Sequence, residues 1–226
     1  MLEPEGAVLG GGVAVQADRG QGFPQAVSSQ DLRREHLRSQ DRDNVLAVLA
    51  GDAGAFEPLI RRHEKAVAGL MWRFSRDRQV RAELVQDVFV EAYLSLRNYD
   101  CSRPFLPWLR TIATRVGYRH WQILERQKRQ VQMDDVPLRD DGGGSDTGEP
   151  TAVRAAALLH SLLARLSPED RLVLTLVYLE GCDLREVAAR TGWNRASAAM
   201  RAYRARRRLR KLIESDGRLG ELPWLR

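Results

Sequence analysis

Cysteine is nearly absent: Cys101 and Cys182 are the only two in 226 residues, and they lie far apart. Neither a secreted disulfide framework nor a paired metal-ligand spacing can be built from them. Long apolar runs are missing as well. The longest uncharged one in the patterned part, Leu172–Leu179, is far too short to cross a bilayer. At the N-terminus, Glu3 and Glu5 stand where a secretory leader wants cations, and glycines interrupt the apolar stretch. A cytoplasmic protein without membrane insertion is therefore expected. Histidine is scarce: His36, His63, His120 and His160 fall one per segment, so no Ser/His/Asp or Cys/His arrangement is readable. The glycine runs Gly10–Gly12 and Gly142–Gly144 have no strand before them and no helix after them, which excludes a phosphate cradle. Asp134, Asp135, Asp140 and Asp141 could hold a divalent metal only on unfolded backbone. No cofactor, metal or catalytic set is expected, and the protein does not read as an enzyme.

What is present is helix pattern and unevenly placed charge. Hydrophobic content of 43% supports packed cores. The net charge is +6 with a pI near 9.8, and its location carries the information. Residues 195–211 hold eight cations, from Arg195 to Lys211, and no acid. Residues 134–149 hold six acids against Arg139 alone. A basic block behind an acidic hinge suggests a polyanion partner, most simply nucleic acid, although a basic face also suits anionic membranes.

Residues 1–43 lack a sustained period and are expected to be disordered, with at most a short helix near Asp31–Arg38. Helical pattern runs from Asn44 to about Arg129, breaks over Asp134–Pro150, resumes at Thr151 and ends near Glu214. No strand-type alternation competes with it. Two small all-α domains on a flexible acidic, glycine-rich linker follow, with 215–226 left as a tail.

In the first domain, Val85, Val88, Phe89, Ala92 and Leu96 recur on one helix face and read as core. Glu83, Gln86, Asp87 and Glu91 occupy the other face, where a solvated surface is the simplest account. The segment Tyr99–Phe105 contains Pro104 and reads as a loop, and Pro107 suits the first turn of a helix starting near Leu106. Trp108, Leu109, Ile112 and Ala113 form the apolar side of that helix. Its continuation places Tyr118 and Trp121 among Arg115, Arg119, Gln122, Arg126, Lys128 and Arg129. Aromatics beside cations fit single-stranded nucleic acid, since cations follow phosphates and rings stack bases at ~1–3 kcal/mol each. Trp108 reads as core, while Tyr118, Arg119 and Gln122 fit either ordinary surface or strand contact.

Glu83-Leu-Val-Gln-Asp-Val-Phe89 resembles the "DLVQEVF" signature of the sigma-70 family, and Phe105…Trp108-Leu-Arg-Thr-Ile-Ala113 is similar to its "F…WLxxIA" stretch. The resemblance implies a sigma-2 domain over 44–131. Its signature helix would dock on the β′ clamp helices of core RNA polymerase through Glu83, Gln86 and Asp87. The loop and helix after it would capture the melted −10 promoter strand, which puts Tyr99, Phe105, Arg115, Tyr118, Arg119 and Gln122 on DNA. Arg115 stands where many relatives carry Asn.

The second domain is punctuated by caps. Ser167, Pro168, Glu169 and Asp170 make a helix start, and the helix should run through Leu179 to Gly181. Asp183 and Glu186 form a capping-box pattern, Gly192 supplies a turn, and Asn194 caps a third helix reaching about Ile213. Short helix, glycine turn and longer basic helix is the arrangement of a helix-turn-helix. Ala198, Ala202, Ala205, Leu209 and Leu212 make its packing stripe. Arg201, Arg204 and Arg208 fall on another side, suited to guanine edges or phosphates. If about four cations displaced counterions, the log–log salt slope of binding would be roughly −3.6.

Leu166-Ser-Pro-Glu-Asp-Arg-Leu-Val-Leu174, Tyr178-Leu-Glu-Gly181, Glu186-Val-Ala188 with Gly192, and the Arg201…Leu209 stretch resemble the family's sigma-4 pattern. That implies −35 duplex reading by 152–214, through Arg195, Ser197, Arg201, Arg204 and Arg208. Ala199 and Met200 stand where relatives often carry Lys and Ser, so Arg195 or Ser197 substitutes at the helix start. No sigma-3-like segment fits in the linker, 132–151, which points to the extracytoplasmic-function (ECF) group. The resemblance further implies the polymerase β subunit and an anti-sigma protein as partners. Two other readings stay open: an autonomous helix-turn-helix repressor or activator, and a recombinase or nuclease with a helix-turn-helix tail. The latter needs a clustered nucleophile or metal set.

Overall fold

The computed structural model describes residues 29–133 and 151–216. These contain eight α-helices and no strand, so the chain is all-α as expected. In order they are α1 (Ser29–Leu49), α2 (Glu57–Met71), α3 (Arg78–Ser95), α4 (Phe105–Met133), α5 (Thr151–Ala164), α6 (Pro168–Leu174), α7 (Leu184–Thr191) and α8 (Arg195–Ser215). The expectations for residues 1–28, for the linker core 134–150 and for 217–226 lie outside the described residues. The chain divides between Leu37 and Arg38 into two compact units, and the second, from Arg38 onward, carries every candidate site residue.

Disorder was expected up to residue 43 apart from a short helix near Asp31–Arg38, yet residues 29–43 are helical throughout. A long-range contact explains part of the difference. Asp41 is buried, accepts from Arg62, and lies 3.0 Å from Nε2 of His63 on α2. Asn44 also accepts from Arg62, at 3.3 Å. Tertiary partners stabilise a segment whose own period is weak.

Local chemistry accounts for most helix ends. Asp77 caps α3 by accepting from the amides of Gln79 (2.7 Å) and Val80 (3.0 Å). Ser167 caps α6, Asp183 and Glu186 complete a capping box on α7, and Asn194 caps α8 through the Ser197 amide. Gly192 stops α7 at φ +78°, a left-handed conformation that side chains disfavour. The helix begun at Pro168 widens into a π-helical turn over Thr175–Leu179, with the Glu180 amide bonding the Thr175 carbonyl, and ends at Gly181.

Helices α2, α3 and α4 pack on one another around Leu59, Met71, Val88, Phe89, Phe105 and Leu109. Of the expected α3 stripe, Val88, Phe89, Ala92 and Leu96 are buried and Val85 is partly so. Helix α8 lies against α6 and α7, with Ala198 and Ala205 fully buried at the contact. The two modules are not separate bodies here. Helix α4 packs against α6 and α7, and the buried apolar side chains of both modules form one continuous cluster.

Gly117 marks a close approach inside α4. A Cβ there would sit 2.4 Å from the ring carbons of Phe74, which is itself buried and packed on Trp121. Glycine costs ~1 kcal/mol in a helix interior relative to alanine, so its use here follows from space. Gly117→Ala is expected to destabilise the protein by about 1–3 kcal/mol despite its better helix propensity. A urea unfolding midpoint at or above that of the parent chain would contradict this.

Candidate nucleic-acid and partner interfaces

Helix α3 presents Glu83, Gln86 and Asp87 to solvent on one face. Glu83 accepts from Gln79 at 3.3 Å, and Glu91 pairs with Arg119 of α4. Beside this face lies a groove of about 500 Å³, lined by Phe56, Ile60, Val85, Gln86, Phe89 and Tyr93 among others. Val90, Tyr93 and Leu94 are exposed on it, Leu94 at 75%. These three recur at helical spacing and could have been read as a second apolar stripe of α3. The groove is apolar and uncovered, and Glu64 and Gln86 stand at its polar edge.

The −10 candidates divide. Phe105 is 1% exposed and Tyr99 8% exposed. Their rings sit edge to face at 5.4 Å, and Phe105 also meets Trp108 (5.4 Å) and His63 (5.3 Å). The Tyr99 hydroxyl donates to the Arg103 carbonyl. Burial, with smaller contributions from the Cys101 thiol and the Asp41 carboxylate, pushes that phenol up to about 12. Both rings therefore anchor the loop to the core, and neither offers a face to a base. That corrects the expectation that they meet DNA. Trp108 joins the same aromatic cluster, as expected of a core residue.

Arg115, Tyr118, Arg119 and Gln122 recur at intervals of three and four and share one flank of α4. Arg115 and Arg119 are exposed, while Tyr118 and Gln122 are half-buried. The Tyr118 hydroxyl donates to Glu169 Oε1 of α6 at 2.7 Å. Burial first, then that carboxylate, pushes the phenol up to about 12. Burial alone would raise the Glu169 carboxyl, but hydrogen bonds from Tyr118, its own backbone and Ser167 outweigh it and leave the group lowered. Trp121 is buried: its indole N–H donates to the Phe74 carbonyl at 2.8 Å, and Arg171 of α6 stacks 3.9 Å from the ring centre. Burial lowers the Arg171 guanidinium to about 10, and burial with the Arg171 charge lowers neighbouring His160 to about 4.

In the second module α7, the Gly192 turn and α8 form the helix-turn-helix. Arg195 and Arg204 are exposed, and Ser197 is half-buried. Arg201 lies over the Trp193 ring at 4.7 Å, a support the sequence did not reveal although an aromatic one residue before the cap was visible. Arg208 differs from its neighbours. It pairs with Asp170, which is only 5% exposed, and so ties α8 to α6, while its own side chain stays 59% exposed. Exposed Met200 and Tyr203 flank Arg204 and add apolar contact area to the basic surface.

Among the described residues no group of three or more His, Cys, Asp or Glu side chains could hold a metal ion, and no helix is long and apolar enough to cross a membrane. A helix-turn-helix beside a module with an apolar groove and an aromatic–cationic helix flank is the architecture of a DNA-binding protein. Comparison with known proteins resolves which. Residues 59–127 match the family model "Sigma-70 region 2", and residues 156–209 match "Sigma-70, region 4". The chain is 30% identical over 192 residues to the RNA polymerase sigma factor CnrH of Cupriavidus metallidurans, covering 80% of this chain and 98% of that one. It is 28% identical over 165 residues to the sigma factor CarQ of Myxococcus xanthus, covering 72% of this chain and 91% of that one. The solved structure of CnrH in complex with the cytosolic domain of CnrY superposes with a TM-score of 0.52 at 26% identity, covering 79% of this chain and 99% of that chain. The chain belongs to the sigma-70 family, among its ECF RNA polymerase sigma factors.

Proposed function

We propose that this sigma factor divides its work between modules over residues 44–131 and 152–214, joined by a linker at 132–151. The first docks on the β′ clamp helices of core RNA polymerase through Glu83, Gln86, Asp87 and the neighbouring groove. Its α4 flank, Arg115, Tyr118, Arg119 and Gln122, takes the unpaired −10 strand, with the cations on phosphates and the phenol ring against a base. Trapping unstacked bases there offsets part of the melting cost, roughly a few kcal/mol per base. The second module enters the −35 major groove with Arg195, Ser197, Arg201, Arg204 and Arg208, and the β subunit holds this module on the polymerase. The observation that carries the reading is the co-occurrence of the α4 flank with a helix-turn-helix in one chain of this family. Linking two modest contacts raises their joint affinity through effective concentration. The chain performs no covalent chemistry of its own; it directs the polymerase, which places it in the cytoplasm at the nucleoid. The complex of the relative CnrH with the cytosolic domain of CnrY supports an anti-sigma partner here as well.

Run-off transcription tests the reading. Core polymerase with this protein is expected to give a discrete promoter-dependent transcript that neither gives alone. Tight duplex binding by the chain alone, with no core-dependent transcript, would instead identify an autonomous repressor or activator.

A further inference from the structure

The turn between α2 and α3 concentrates arginine. Residues 72–82 hold Arg73, Arg76, Arg78 and Arg81 against one acid, Asp77. The Asp77 carboxylate is taken up by the amides of Gln79 and Val80, and Arg73 donates from Nε to Glu180 Oε1 at 3.0 Å. No carboxylate among the described residues pairs with Arg76, Arg78 or Arg81, and the Arg76 Nε is buried with no hydrogen-bond partner. Helix stability does not explain the pattern. Arg78 and Arg81 occupy the first turn of α3, which contains no acid, although the positive end of a helix dipole favours acids and disfavours cations there.

A tryptophan organises these side chains. Trp72 ends α2 and keeps 43% of its surface exposed. The Arg81 guanidinium lies over its ring at 4.4 Å and that of Arg76 at 5.1 Å. Arg81 also donates to the Arg76 carbonyl. A guanidinium held on an aromatic ring keeps N–H donors free for phosphate oxygens and has less rotamer freedom to lose on binding. The ring already carries two protein cations, so it holds them in place of a stacked base. The turn itself is fixed to α4. Phe74 packs on Trp121 at 4.5 Å between ring centres, accepts the Trp121 indole N–H at 2.8 Å, and faces Gly117. Two backbone steps, one ring contact and one helical turn separate Trp72 from Tyr118, roughly 20 Å in all. That is about six base pairs of B-form duplex.

We infer that the arginine turn, with Arg76, Arg78 and Arg81 gathered at Trp72, is a second DNA contact of the first module and grips the phosphate backbone of the duplex flanking the unpaired −10 strand. The inference rests on the promoter reading above for the course of the strand along α4, and adds a site outside the −10 and −35 surfaces. Guanidiniums with no carboxylate to neutralise them supply the charge, and donors aimed at phosphates carry no sequence preference. Counterions released from the bound phosphates make the contact salt-dependent, at about 0.9 in log–log slope for each phosphate.

The test is holoenzyme binding, over a salt series, to a labelled fork probe in which the unpaired −10 strand of a transcribed promoter is joined to its flanking duplex. Arg78→Gln with Arg81→Gln is expected to weaken binding to that probe about tenfold and to flatten the log–log salt slope by roughly 1.8. Binding of the unpaired −10 oligonucleotide without duplex should be unchanged, and exchanging the flanking base pairs should not alter the loss. Trp72→Leu keeps the cations but releases them from the ring, so affinity is expected to fall about threefold with the slope retained, and Trp72→Phe should restore it. If the double variant fails to fold, exposed Arg78→Gln is measured alone, with a slope change of roughly 0.9 expected. Unchanged affinity and slope on the fork probe would overturn the inference. So would a loss of core-polymerase affinity in place of DNA affinity, which would make the turn a polymerase contact. Run-off transcription separates this idea from the one beneath it. A core-dependent transcript with indifferent variants sinks the arginine turn alone, whereas no transcript from the parent holoenzyme sinks the promoter reading.

Discussion

Phe105→Ala is expected to cost about 3–5 kcal/mol of folding stability, enough to consume much of the ~5–15 kcal/mol that holds an ordinary domain together. The side chain is 1% exposed and packs against Tyr99, Trp108 and His63. Truncation removes the transfer free energy of a buried ring and leaves a cavity under the loop 99–104. Because the aromatic cluster holds the start of α4, polymerase binding and DNA binding should fall together. Chemical denaturation of the purified variant, read beside core binding, checks this. An unchanged midpoint with a selective loss of −10 recognition would return Phe105 to the DNA surface and refute the burial argument.

The opposite signature is expected on α3. Glu83→Lys combined with Asp87→Lys should leave the unfolding midpoint within about 0.5 kcal/mol of the parent, because both side chains are exposed and neither has a buried partner. Core-polymerase affinity should fall roughly 100-fold or more, since placing like charges across an interface costs several kcal/mol. Duplex binding by the second module is expected to survive. Titration of labelled protein with core polymerase, alongside a duplex-binding assay, measures both arms. Undiminished core affinity would remove the α3 face from the proposed docking surface and leave the apolar groove at Val90, Tyr93 and Leu94 to be tested by itself.

Much of the architecture was written locally. Asp183 with Glu186, Asn194 and Gly192 act within a few residues of themselves, and their caps and turn stand where the residue pattern puts them. The alanine stripe of α8 and the apolar stripe of α3 were legible for a related reason: helical periodicity maps spacing directly onto a face. The candidate sites were less legible. Arg208 and Arg204 are alike in sequence and both are exposed, yet Arg208 is also tied to buried Asp170. Phe105 belongs to a matching motif and Tyr99 to the loop before it, but a motif records which residues recur and not whether they recur for packing or for contact. The Asp41 network with Arg62 and His63 joins residues about two dozen positions apart or fewer, and no spacing rule singles it out.

By itself, the sequence determined the fold class, the caps and turn of the second module, the helix-turn-helix and the family, because each depends on neighbours within a turn or two or on a pattern of residue types. Only the tertiary structure decided that Tyr118 meets Glu169, that Arg73 meets Glu180 across more than a hundred residues, and that one apolar cluster runs through both modules. Contacts of that kind depend on how whole helix faces are placed against each other. Burial then turns equivalent side chains into different ones, by removing the water that would otherwise have satisfied each of them alike.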